Sequence, residues 1–201
     1  MDRGNHYEAA FEGYLRARRL GYVAVDETHR ASLDDEPVKS LDFVVYGSSG
    51  TRLLVDVKGR RFPGGPKDRP RRVWESWSTR DDVDGLQRWA ERFGPDYLPL
   101  LVFAYQIRPT VKLPLGVRDL WFWRGKAYLY RAVPVDDYRE AMHVRSPKWG
   151  TVMVPTAAFR RLVRPLSDFT HKTVGSVQCA VSSEGRFSLL TAHCPLHTAH
   201  A

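Results

Sequence analysis

The chain has 201 residues, and 31 Lys and Arg against 23 Asp and Glu give it a formal net charge of +8. This length fits one domain, or one domain with appendages, and is sufficient to bury a core without disulfides. The only two cysteines, Cys179 and Cys194, lie near the C-terminus, which excludes a disulfide framework for the body of the protein. The sequence contains neither an apolar run of about 20 residues nor a signal-peptide pattern, so we expect a cytoplasmic protein with no membrane span.

The first predicted element is a helix over residues 5–19, in which apolar side chains recur at three- and four-residue steps. Asn5 is its predicted N-cap, and Glu8 completes a capping-box pattern three positions later. We expect the helix to end at Gly21 and a short strand to follow over residues 22–25.

The next elements are two strands over residues 41–46 and 52–58, joined by a Gly/Ser turn that predicts a hairpin. Both runs are almost continuously apolar, which is typical of a sheet covered on both faces. Asp42 interrupts the first run and Asp56 interrupts the second.

A basic segment over residues 57–72 follows the hairpin. It contains seven basic residues and one acid, and therefore accounts for six of the eight net positive charges. Its three prolines and three glycines predict a loop. The basic residues are Lys58, Arg60, Arg61, Lys67, Arg69, Arg71 and Arg72.

The rest of the chain is predicted to contain further helices and strands and then a tail rich in Ser, Thr, Ala and His. We expect a core over 1–105, additional strands and helices packed on it over 106–169, and a flexible or loosely docked tail over 170–201. The predicted elements after the basic segment are a helix over 79–93 capped by Thr79, a strand over 98–105, a hairpin over 121–123 and 127–130, and helices over 135–142 and 156–163.

The chemistry of the hairpin centres on Asp42, Asp56 and Lys58. Residues two apart in a strand point to the same side, so Asp56 and Lys58 project together, and Asp42 on the partner strand is within reach of them. Neighbouring carboxylates repel each other unless they pair or bind a metal, and oxygen ligands suit Mg²⁺. A salt-bridged cluster that faces solvent at the end of the sheet is the alternative interpretation.

The order of these elements resembles the PD-(D/E)xK nuclease superfamily, and within it the archaeal Holliday-junction-resolvase branch. The matching features are an acid in the first helix (Glu8), then Asp42, then Asp56-Val57-Lys58, then a helix and a buried strand. The family pattern often has a proline before the first Asp, where this chain has Leu41. The resemblance covers about half of the chain and implies an α/β fold with a restriction-endonuclease-like αβββαβ core, a mixed central sheet flanked by helices, and a C-terminal extension.

The resemblance also implies the roles of the site residues. Asp42 and Asp56 would be ligands of Mg²⁺ or Mn²⁺, Lys58 the catalytic lysine and Glu8 an outer acid that helps the metal or its water. Gln87 lies on the following helix, where some members of the family have a functional glutamine. The implied activity is hydrolysis of phosphodiester bonds in DNA, either structure-selective or weakly sequence-specific, and the resemblance leaves a homodimer open.

We expect the basic segment to attract the phosphates of a nucleic acid, and we expect this nucleic acid to be DNA. Trp74 and Trp77 follow it and are candidates for stacking on an unpaired base. Residues 145–149, which include two basic residues and a tryptophan, form a second candidate patch. The alternative function is a catalytically inactive nuclease-fold protein that binds nucleic acid or a protein partner.

Overall fold

The structure of the protein is a computed structural model that describes residues 5–25, 31–33, 36–48, 50–66 and 68–171. The predicted tail falls almost entirely on residues 172–201, which lie outside the described residues. The described part contains five α-helices: α1 His6–Ala17, α2 Arg80–Phe93, α3 Val135–Ala141, α4 Thr156–Leu162 and α5 Ser167–Thr170.

The same part of the chain forms twelve β-strands and one 3-10 turn, Pro147–Trp149. The strands are β1 Gly21–Ala24, β2 Ala31–Leu33, β3 Glu36–Val38, β4 Phe43–Tyr46, β5 Arg52–Phe62, β6 Trp77–Thr79, β7 Tyr97–Ile107, β8 Leu120–Trp123, β9 Lys126–Pro134, β10 His143–Ser146, β11 Thr151–Met153 and β12 Arg164–Pro165.

The centre of the fold is a seven-stranded mixed sheet in the order β1-β4-β5-β7-β9-β12, with β8 paired to β9. The pairing of β5 with β7 is parallel and extends over eleven residue pairs, whereas the other pairs of this sheet are antiparallel. Helix α1, strands β1, β4 and β5, helix α2 and strand β7 follow one another in the αβββαβ order. The predicted α/β class, with a mixed central sheet flanked by helices, is confirmed.

The two faces of the sheet carry separate apolar clusters. Phe11 and Tyr14 of α1 pack in one cluster with Val55 of β5, while Leu86 of α2 packs in the other cluster with Leu54. Side chains alternate along a strand. Odd-numbered residues of β5 therefore face α1, and even-numbered residues face α2.

The predicted start of α1 is confirmed, because the Asn5 side chain accepts a hydrogen bond from the Tyr7 amide and caps the helix. The predicted end at Gly21 is wrong. The helix ends at Ala17, the chain reverses through Arg19 with a positive φ of 55°, and Gly21 is the first residue of β1. An arginine in the left-handed region thus makes the turn that the glycine was expected to make.

The prediction of a loop is also wrong for residues 59–62, which directly follow the predicted strand over 52–58. Strand β5 continues through Phe62, because its backbone pairs with β7 as far as the Phe62–Ile107 pair. Gly59 fits inside this strand because a Cβ atom there would overlap the Tyr7 ring of α1. The loop begins at Pro63, and a single bridge between Gly64 and Arg71 closes it.

Residues 106–169 add to the central sheet and to a second, three-stranded sheet. Strands β9 and β12 extend the central sheet beyond β7, while β6 pairs with β11 and β11 with β10. The β10–β11 hairpin and the short β2–β3 hairpin were not predicted from the sequence. Among the described residues no helix combines the length and the apolar character needed to cross a bilayer.

Candidate active site

Asp56 and Lys58 form a close ion pair on the face of β5 that α2 covers. The Lys58 Nζ atom lies 2.7 Å from Asp56 Oδ2, and the Lys58 side chain is only 13% exposed. The two residues project together because they are two apart in a continuous strand. The pair is thus largely buried rather than at a solvent-facing end of the sheet.

Asp42 lies beside this pair, directly before β4. Its backbone amide donates to the Val55 carbonyl, and its Oδ2 atom accepts a hydrogen bond from the Val57 amide at 2.6 Å. Both Asp42 and Asp56 are buried, at 3% and 4% exposure. The structure therefore brings together three of the predicted residues, Asp42, Asp56 and Lys58.

Asp82 is a fourth member of this cluster, and its sequence context did not point to the site. Its Oδ2 atom lies 2.8 Å from Lys58 Nζ, and its Oδ1 atom lies 3.7 Å from Lys39 Nζ. Asp82 also forms a capping box with Thr79 in the first turn of α2. The sequence predicts the cap at Thr79 but assigns Asp82 no role in the site.

The two carboxylates that share Lys58 have pKa values that are shifted in opposite directions. Burial raises the pKa of Asp56, with a further contribution from Asp82, and the Lys58 ammonium opposes this only in part. Burial also acts to raise the pKa of Asp82, but Lys58 and the hydrogen bonds from Thr79 outweigh it and lower that pKa to about 2. Burial lowers the pKa of Lys58, but Asp56 and Asp82 raise it by more, so it lies above the ordinary value.

The lowered pKa of Asp82 predicts a stability that depends on pH. Because the folded-state pKa is about 2 and the unfolded value is near 3.9, the Asp82 carboxylate stabilises the fold above about pH 4 and loses this effect as the pH falls towards 2. Asp82→Asn is expected to lower the free energy of unfolding by about 2 kcal/mol at pH 7, and by much less near pH 2. Denaturant unfolding over this pH range measures the difference.

The control for this prediction is Asp81→Asn, which removes a carboxylate from the same helical turn at an exposed position. It is expected to change the stability by well under 1 kcal/mol. Equal effects of the two substitutions at every pH would show that Asp82 acts only through the helix terminus.

The structure does not bring Glu8 to the Asp56–Lys58 pair. Helix α1 packs against the other face of the central sheet, and the Glu8 carboxylate contacts the Asn5 side chain. Gln87 lies on α2, the helix that carries Asp82. Its Oε1 atom is buried without a hydrogen-bond partner among the described residues.

The structure buries Arg60 instead of presenting it to solvent. Its guanidinium lies 3.7 Å from the centre of the Trp77 ring and donates to the Trp77 carbonyl, and Nη1 donates to the Gly59 carbonyl at 2.7 Å. Burial lowers the pKa of Arg60. On the outer side, the Arg145 guanidinium lies 5.0 Å from the same Trp77 ring. The contact between Arg60 and Trp77 therefore packs β5 against β6.

Arg61 projects to the opposite side of β5, as the alternation requires, and lines a basic cleft. The cleft has a volume of about 600 Å³ and lies at the carboxyl ends of the parallel strands β5 and β7. Three arginines contribute to its lining, and no acidic residue does. The lining residues are Arg61, Pro63, Pro70, Arg72, Gln106, Arg108, Pro109 and Thr110.

The other predicted nucleic-acid residues occupy different environments. Arg69 and Arg71 are exposed, and Arg71 lies 3.8 Å from Glu75. Trp74 stacks on Phe62 with ring centres 3.7 Å apart, and is therefore packed against the core. Lys67 lies outside the described residues.

The carboxylates at the site are suited to a magnesium ion that the protein would bind through only two ligands. Proteins commonly bind Mg²⁺ through one or two carboxylates, with waters and substrate phosphates completing the shell. Asp42 and Asp56 supply two adjacent, buried carboxylates of this type. Among the described residues, no group of three or more His, Cys, Asp or Glu side chains is arranged to hold a metal.

The chain matches no protein-family model and no curated protein sequence. Among solved structures, the chain is similar in fold to Archaeoglobus fulgidus Hjc, a Holliday junction resolvase from an archaeal hyperthermophile. The sequences are 14% identical and the TM-score is 0.45, over 79% of this chain and 93% of that one.

Proposed function

We propose that the protein is a metal-dependent nuclease that hydrolyses phosphodiester bonds in DNA. The observation that carries the proposal is the buried cluster in which Lys58 lies 2.7 Å from Asp56, with Asp42 beside them, directly before the adjacent strand β4. Burying two carboxylates and an ammonium costs free energy, and such clusters are common at functional sites.

Each residue of the cluster has a role in this proposal. Asp42 and Asp56 would hold Mg²⁺, or Mn²⁺ in its place. The ion when bound would polarise a phosphate oxygen and lower the pKa of a water. Lys58 would use its ammonium to stabilise the negative charge that develops on the phosphate. Asp82 would position Lys58 from α2, since its carboxylate lies 2.8 Å from Nζ.

Glu8 and Gln87 keep only subsidiary parts in the proposal. Glu8 lies on the helix that covers the other sheet face, so any help to the metal would require its carboxylate to reach around the sheet end. Gln87 has a buried amide oxygen on α2 without a hydrogen-bond partner among the described residues, and its part in the proposal would be to bind a water.

The basic cleft is the proposed contact for the DNA backbone. Arg61, Arg72 and Arg108 line it, and a lining that contains three guanidinium groups and no acid favours a polyanion. Because Arg61 is five residues from Asp56 along β5, the cleft lies about 16 Å further along the strand. It also lies on the opposite face of the sheet, so a DNA that contacts both the cleft and the site would have to pass around the sheet.

Replacing Arg61, Arg72 and Arg108 together by Gln is expected to weaken DNA binding. It should also reduce the slope of log affinity against log salt by about one for each phosphate that the variant no longer neutralises. The control is the triple replacement of Arg19, Arg92 and Arg139, which are exposed and lie outside the cleft. A salt titration in the absence of divalent metal measures both slopes, and equal slopes for the two triple variants would remove the cleft from the proposal.

The direct test of the proposed function is DNA cleavage by the purified chain. Duplex, single-stranded and branched DNA are incubated with Mg²⁺, with Mn²⁺ or with a chelator. The proposal expects nicks or cuts that require the metal. Absence of cleavage with every substrate and both metals would contradict it.

A second candidate, an inactive nuclease-fold protein that binds nucleic acid or a protein partner, is favoured by one observation. Asp42 and Asp56 each already have a partner in the chain, the Val57 amide and the Lys58 ammonium. Under this function DNA binding or partner binding persists, calorimetry finds no Mg²⁺ binding, and Asp42→Ala leaves the binding unchanged.

A further inference from the structure

The most exposed tryptophan among the described residues lies at the tip of the β10–β11 hairpin. Trp149 is 72% exposed, and it ends the 3-10 turn that connects the two strands. Gly150 follows in the left-handed conformation, with a φ of 55°, and turns the chain into β11. A large aromatic side chain normally buries much of its surface. Packing within the described part of the chain therefore does not explain why Trp149 is exposed.

The tip is held against the part of the molecule that carries Asp82. The Arg80 amide, the first of helix α2, donates to the Gly150 carbonyl at 2.8 Å. Thr151, two residues after Trp149, pairs with Thr79, the cap of the same helix. The Cα atom of Trp149 is therefore within about 7 Å of that of Thr151. Thr151 in turn pairs with Thr79, whose amide donates to the Asp82 carboxylate.

The surface of the hairpin is basic as well as aromatic. Arg145, Lys148 and His143 are exposed, and residues 143–151 include no acidic residue. The Lys148 Nζ atom lies 5.5 Å from the centre of the Trp149 ring. An exposed aromatic ring flanked by cations is the arrangement with which proteins stack nucleic-acid bases while neutralising the adjoining phosphates.

We propose that Trp149 is a stacking platform for an unpaired base of a DNA strand bound at the Asp42–Asp56–Lys58 site. This inference rests on the proposed function and adds to it a substrate preference: DNA with unpaired bases near the cleaved bond. A fully paired duplex keeps its bases stacked inside the helix and offers Trp149 no base face. Its affinity therefore does not depend on Trp149.

The experiment compares two DNA probes without divalent metal, so that binding is measured apart from cleavage. One probe is a labelled duplex, and the other is the same duplex with unpaired adenines at its centre. Because stacking contributes about 1–3 kcal/mol per base, Trp149→Ala is expected to weaken binding of the second probe by about 5-fold to 150-fold. Binding of the paired duplex should stay the same, and Trp149→Phe should restore most of the affinity.

The matched control is Phe122→Ala, which removes another exposed aromatic side chain, 69% exposed, from β8 in the central sheet. It should leave both affinities unchanged. If the parent protein binds the probes and Trp149→Ala binds them equally well, the stacking role alone is overturned. The same holds if Trp149→Ala weakens the affinity for both probes equally. A parent that binds neither probe would overturn the stacking role, while the cleavage assay with Mg²⁺ or Mn²⁺ tests the proposed function separately.

Discussion

Asp56→Asn is expected to reduce metal-dependent DNA cleavage by on the order of 10²- to 10³-fold or more, while DNA binding persists. The substitution keeps the shape of the side chain but removes the charge that would hold the metal. Its cost to stability should be small, because burial already raises the pKa of Asp56 and disfavours the charged form in the folded protein. A single-turnover cleavage assay, with a parallel binding assay, measures the two effects separately.

The control is Asp96→Asn, which removes a surface carboxylate that lies 3.6 Å from Arg52. Its cleavage rate should equal that of the parent. If Asp56→Asn cleaves DNA as fast as the parent does, the activity comes from a contaminant or from another site, and the assignment of Asp56 fails. If the parent and both variants bind DNA but do not cut it, the inactive alternative is the correct one.

Lys58→Met is expected to lower the free energy of unfolding by about 3–5 kcal/mol. Lys58 is the common partner of Asp56 and Asp82, at 2.7 and 2.8 Å, and both carboxylates are buried. Removing the ammonium leaves them near each other without compensation, and a buried unpaired charge is costly. Denaturant unfolding monitored by tryptophan fluorescence measures the change.

A double variant separates the charge effect from a simple decrease in packing. Adding Asp56→Asn to Lys58→Met removes one of the two uncompensated carboxylates, so it should recover part of the stability. Lys39→Met, at a half-exposed lysine 3.7 Å from Asp82, should cost at most about 1 kcal/mol. Additive destabilisation in the double variant would show that Lys58 stabilises the fold by packing and not by its charge.

The helix boundaries show what local sequence signals determine. Asn5 and Thr79 were predicted as caps from side chains that satisfy free amides, and both caps are present. The adjacency of Asp42, Asp56 and Lys58 was also predictable, because it depends only on a short hairpin and on the period of two along a strand.

The fate of Arg60 and Arg61 was not predictable from the same signals. Glycines, prolines and charges after Lys58 are typical of a loop, yet β5 continues to Phe62 because β7 pairs with it, each residue with the one 45 positions further along the chain. Once the segment is a strand, alternation sends Arg60 beneath Trp77 and Arg61 to the opposite face. The same basic segment therefore contributes one buried arginine to the packing and one arginine to the lining of the cleft.

The role of Asp82 depends on tertiary packing in the same way. An acid in the first turn of a helix is explained by the helix dipole alone. Only the docking of α2 over β5 brings that carboxylate to Lys58. The contact is between residues 24 positions apart, on elements whose relative placement no local pattern specifies.

The capping box of α2 has a consequence for the dynamics of the candidate site. Helix ends ordinarily fray at little cost, because their terminal amides exchange partners with water. Here the first turn cannot open without withdrawing Asp82 from Lys58, which is itself paired to Asp56 inside the sheet. We therefore expect the start of α2 and the centre of β5 to open together. The amides of that turn should exchange with solvent as slowly as those of the core strand, and Lys58 is held in place by the rigidity of the whole fold.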